Sequence, residues 1–85
     1  MPMPNLPNGD YELVLPSDSS FAARLEWANE RYCDLAEDKM PTHVGWLVYN
    51  MVIGWTDIGH TKDEVRQLNA VGGLIAELVR SLEER

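Results

Sequence analysis

Residues 44 to 55 contain no charged side chain and place apolar groups on nearly every face of the helix they would form. A helix that is apolar all round must be buried all round. In a chain of 85 residues only two other helices of useful length are available to cover it. The remaining cover must come from the Pro-rich N-terminal arm, a second copy of the chain, or a different protein. The length allows one core and no more, and a domain of this size buries only roughly 60–65% of its unfolded surface. Its stability therefore leans on self-association or a partner.

Composition narrows the classes further. A hydrophobic content of 45% with three Trp and three Tyr suits a folded globule and argues against intrinsic disorder. Fourteen acidic and seven basic residues leave a net charge of −7, which disfavours direct binding to nucleic acid or an anionic membrane. It favours a partner with a basic surface. Cys33 is the single cysteine, so the chain folds without an internal disulfide. The opening Met-Pro-Met-Pro-Asn-Leu-Pro lacks the basic and apolar regions of a signal peptide. The apolar run is also shorter than the ~20 residues that span a bilayer. The expected location is the cytoplasm.

Three helices are predicted, over about residues 19–39, 42–55 and 62–83. Residues 1–16 form an extended arm, with three of the five prolines and an Asn8-Gly9 turn pair in its first nine residues, and with short strand character from Tyr11 to Leu15. Ser17-Asp18-Ser19-Ser20 supplies N-cap oxygens for the first helix, and Pro41 sets its latest possible end. At about 100° per residue, Phe21, Leu25, Ala28, Tyr32, Leu35 and Ala36 share a core stripe. Glu26, Glu30, Asp34 and Glu37 line up opposite as an acidic ridge, at spacings of 4, 4 and 3. Trp27 projects beside that ridge, off the core stripe.

In the second helix Val44, Leu47, Val48, Met51, Val52 and Trp55 form one stripe, and Trp46, Tyr49 and Ile53 a second, nearly opposite. A β-hairpin about Asn50-Met51 fits the β-branched content, but that pair makes a poor two-residue turn. Thr61-Lys62-Asp63-Glu64 reads as a capping box. The third helix carries Val65, Leu68, Gly72, Ile75, Val79 and Leu82 at alternating spacings of 3 and 4, the pattern of a coiled-coil seam. Gly72 and Gly73 in mid-helix each cost about 1 kcal/mol relative to Ala. Close approach of another helix is the simplest compensation, and Gly45 and Gly54 on the second helix could serve it too.

Two sets of residues are candidates for function. The ridge Glu26, Glu30, Asp34 and Glu37 could meet a basic protein surface, or Glu26 and Glu30 could hold Mg²⁺ in a helical nucleotide hydrolase. The aromatic set Trp27, Trp46 and Tyr49, with Ile53, could form a partner or oligomer interface. It could also wall an inter-chain pocket for a nucleotide, with Arg66 or Arg80 contacting the anion. Cys33, His43 and His60 match no zinc spacing, and no nucleophile has a nameable base and orienting residue.

The expectation is an all-α three-helix bundle with an extended N-terminal arm, self-associating through helix two, helix three or both. No cofactor or metal is called for. Its function is expected to be non-enzymatic: a small acidic inhibitor or regulator that occludes a surface of a partner protein. In size, acidity and surplus aromatic area the chain is similar to small phage-encoded inhibitors, including anti-CRISPR and other host-takeover proteins, a likeness of physical character with no shared motif.

Overall fold

Each helix begins where the chain offers its first amides a partner. In the computed structural model, which describes residues 11–57 and 59–84, Ser20 caps helix α1, Phe21–Ala36, by accepting from the Ala23 amide at 3.2 Å. Asp18 in turn accepts from the Ser20 amide at 2.8 Å, and hydrogen bonding to the Ser20 hydroxyl first, then to its amide, holds the Asp18 carboxyl below its ordinary range. Pro41 precedes helix α2, Thr42–Trp55, in extended geometry (φ −67°, ψ 152°). Its carbonyl takes the amides of Val44 and Gly45, each at 3.1 Å. Thr61 opens helix α3, Lys62–Glu83, with both halves of the capping box: Glu64 N–H to Thr61 Oγ1 at 3.2 Å and Thr61 N–H to Glu64 Oε1 at 3.0 Å.

The described residues form an all-α bundle, and one continuous helix replaces the hairpin alternative around Asn50. α1 stops three residues short of its predicted end. Asp38 adopts a left-handed φ of 66°, which directs the Lys39 amide to the Asp34 carbonyl (2.8 Å) and the Asp38 amide to the Leu35 carbonyl (3.2 Å). These two bonds are those of a Schellman stop, built here on Asp in place of the usual Gly.

The core is a column of branched aliphatics. Leu35, Val48, Val52, Leu68, Ile75 and Val79 are all fully buried. α2 packs most extensively on α3, and glycines set how closely. A Cβ on Gly45 would lie 2.6 Å from Val79 Cγ2 and 3.3 Å from Leu35 Cδ1, and one on Gly72 would lie 2.9 Å from Ile53 Cδ1. Gly54 and Gly73 have open space at the same position, so close approach accounts for one glycine of each pair only.

This packing explains how the uncharged helix is covered. The buried arc of α2 is Val44, Gly45, Val48 and Val52, that is, Gly45 together with the part of the first apolar stripe nearer the second. Tyr49, Trp46 and Ile53 flank it on one side, and Met51 and Trp55 on the other, all half-buried. Leu47, assigned by its spacing to the core stripe, is 52% exposed. It shares the solvent side with His43, Asn50 and Gly54, about 100° beyond Val48. No helix among the described residues is long and apolar enough to cross a membrane.

Residues 11–16 form no regular element and run as a strap along α1. Tyr11 reaches Asp34 and Val14 reaches Trp27, so the strap travels opposite to the helix direction. The Pro-rich residues 1–10 of the predicted arm lie outside the described residues.

Candidate functional site on α1

The four carboxylates of the predicted ridge do not form one equivalent row. Glu26 and Glu30 stand exposed on the outer face of α1. Among the described residues Glu26 has no ion pair, and Glu30 has a distant one, 3.8 Å from the Arg31 guanidinium. Asp34 faces the strap instead. It accepts from the Tyr11 hydroxyl at 2.6 Å and lies 3.2 Å from Arg31 Nε. Burial, and then the hydrogen bond to Asp34, push the Tyr11 phenol up to about 12. Glu37 lies just beyond the helix and pairs with Lys39 at 3.0 Å. That hydrogen bond and charge raise the Lys39 ammonium above its ordinary value.

Trp27, which the helical projection places off the core stripe, is a core residue only 5% exposed. Two contacts outside the α1 periodicity account for this. The strap crosses it, with the indole N–H donating to the Val14 carbonyl, and Trp55 of α2 meets it edge to face at 5.4 Å. The other aromatic candidates sit elsewhere. Trp46 and Tyr49 stand edge to face at 5.8 Å, and the Trp46 indole donates to Glu83 at 3.0 Å. Ile53 packs over Gly72 of the same chain. Arg66 is paired with Asp63 at 3.0 Å, while Arg80 is exposed.

Cys33, His43 and His60 are not brought into a set. Cys33 is exposed on α1 and His43 on α2. The His60 side chain is 4% exposed in a node invisible to helical periodicity. Arg24 lies 2.9 Å from His60 Nε2, and a guanidinium can only donate, so Nε2 accepts and the ring proton resides on Nδ1, facing Glu64 at 3.4 Å. Arg24 also covers Trp55 at 4.9 Å, and Phe21 meets the imidazole edge to face at 6.1 Å. Among the described residues no group of three or more His, Cys, Asp or Glu is placed to hold a metal ion.

The outer face of α1 has one further property, absent from the ridge pattern alone. An open, predominantly apolar depression runs along it, lined among the described residues by Phe21, Ala22, Leu25, Glu26, Asn29, Glu30 and Cys33. The Glu26 carboxylate and the loosely paired Glu30 carboxylate border this apolar surface. The guanidiniums of α1 lie over rings outside this lining, Arg24 over Trp55 and Arg31 over Trp27 at 5.8 Å, so the charged groups among its described lining residues are the two carboxylates.

Comparison with known protein families, with curated proteins and with solved structures found no match for this chain.

Proposed function

We propose that this protein is a non-enzymatic interaction module, a small acidic inhibitor or regulator that works by occupying a basic surface of a partner protein. The observation that supports the reading is the outer face of α1, where Glu26 and Glu30 border an apolar depression whose lining, among the described residues, includes no cation. Apolar contact area supplies the binding free energy, and charge complementarity supplies rate and selectivity. The cytoplasm is the proposed location, where a lone exposed thiol such as Cys33 stays reduced. The likeness in character to phage-encoded inhibitors, anti-CRISPR proteins among them, belongs to the same proposal.

The test is capture from a lysate of the native host at low and high salt. Capture that falls steeply with salt, and is lost in a folded Glu26→Lys/Glu30→Lys variant, supports the reading. Capture indifferent to both sinks it.

Self-association is the second part of the proposal. It is favoured by Leu47, 52% exposed on the solvent side of α2, and by Trp46 and Tyr49 on its flank, which α3 leaves half-covered. A solution mass from light scattering tests it: a dimer that reverts to monomer on Leu47→Lys substitution supports this interface, and a monomeric parent protein rejects it.

A further inference from the structure

The depression on α1 has a regular construction. Phe21, Leu25, Asn29 and Cys33 follow one another at steps of four, and Ala22, Glu26 and Glu30 do the same one residue later. Those are two adjacent i±4 ridges, and the lined surface is the groove between them. Such a groove is the complement of an i±4 ridge on another helix, the commonest mode of helix packing in globular proteins, with the axes crossing near −50°. From Phe21 to Cys33 it extends about 18 Å at 1.5 Å per residue, roughly three turns of an occupant. Ala22 and Cys33 are small and exposed at opposite ends, so neither end is blocked by a large side chain. The wall formed by Phe21 and Leu25 is apolar and half-buried, and the facing wall carries Glu26 and Glu30 one turn apart.

We infer that this groove seats an amphipathic helix of a partner protein, with an apolar ridge lying along Phe21 and Leu25 and Lys or Arg side chains spaced one turn apart against Glu26 and Glu30. The inference rests on the proposed partner-binding role and specifies the element recognised. An extended basic segment would match the charges but not the two-ridge groove. A helix satisfies both, using the amphipathic helix-in-groove mode of recognition.

The experiment uses the full chain and a fluorescein-labelled, 18-residue Leu/Lys amphipathic helix as probe, read by anisotropy at low salt. Oligolysine and a Leu/Glu helix of equal length serve as comparators. The Leu/Lys helix is expected to bind at least tenfold more tightly than either comparator. Glu26→Gln/Glu30→Gln is expected to weaken it at least fivefold, as is a bulky maleimide adduct on Cys33, the single thiol. Glu77→Gln, on the exposed side of α3, should leave binding unchanged, and circular dichroism checks that each protein is folded.

Oligolysine binding as tightly as the Leu/Lys helix would overturn the helix inference and leave the acidic-face reading standing. So would absence of probe binding while lysate capture remains sensitive to Glu26 and Glu30. Equal weakening by Glu77→Gln would overturn the site. A nitroxide on Cys33 that broadens the resonances of residues 1–10 in the free protein would assign the groove to the chain's own arm and overturn the proposal. Broadening of a helical probe alone would support it.

Discussion

Tyr11 donates its hydroxyl to the Asp34 carboxylate at 2.6 Å across 23 positions of sequence, fastening the strap to the C-terminal half of α1. The same carboxylate lies 3.2 Å from Arg31, whose guanidinium covers Trp27. One side-chain pair therefore closes the lid over a buried indole. It also removes Asp34 from the set of carboxylates available to a partner.

Replacing Tyr11 by Phe deletes this bond while keeping the ring. Hydrogen bonds to charged groups contribute about 1.5–3 kcal/mol when well buried, and at this partly exposed position about 1 kcal/mol is expected. The phenol is raised from 10.0 to about 12, so its neutral form is the one the fold favours. Its contribution is complete below pH 10 and is lost as pH rises through 12. An ultraviolet phenolate titration combined with Trp fluorescence should register strap release in that window, and Tyr11→Phe should abolish the coupled fluorescence change.

Gly45 and Gly73 should respond oppositely to alanine. At Gly73 a methyl group meets nothing within 4 Å, and the gain in helix propensity is about 1 kcal/mol. At Gly45 it collides with Val79 at 2.6 Å, a branched side chain with little freedom to yield. Overpacking of that kind costs about 1–3 kcal/mol. Thermal unfolding should rise by about 4–8 °C for Gly73→Ala and fall for Gly45→Ala.

Asp38→Gly should stabilise the fold. A side chain in the left-handed region costs about 1–2 kcal/mol, offset by about 0.5–1 kcal/mol for the greater freedom of an unfolded glycine. The expected net gain is about 0.5–1 kcal/mol in a denaturant titration, with the Lys39-to-Asp34 backbone bond retained.

Leu47 and Val48 are sequence neighbours with opposite fates. Leu47→Gln on the exposed side should change the unfolding free energy by less than about 0.5 kcal/mol. Val48→Ala, at a position 1% exposed, should cost about 2 kcal/mol through lost burial and the cavity left behind. Chemical denaturation of the two variants against the parent protein measures the contrast.

What a single sequence reveals here follows helical periodicity and capping chemistry. The Thr61/Glu64 box is local, and both of its bonds are present. The start of α2 beside Pro41 is local too. Trp27 escapes the helical pattern because its cover comes from a strap with no periodic pattern and from Trp55 on another helix. The early end of α1 was hidden because Asp, not Gly, occupies the left-handed position. The ridge was legible as a pattern, but its division into exposed Glu26 and Glu30 and strap-bound Asp34 depends on Tyr11, 23 residues away. No spacing rule connects Arg24 to His60 across 36 residues.

Phe21 belongs to two surfaces at once. One side of its ring helps wall the outer groove, and its edge contact with His60 joins the node that links α1 through Arg24 to Trp55 on α2 and through Glu64 to the first turn of α3. The groove wall is thus in direct contact with the junction where all three helices meet. Occupancy of that outer face is expected to shift the His60 imidazole resonances, because its ring meets Phe21 edge to face.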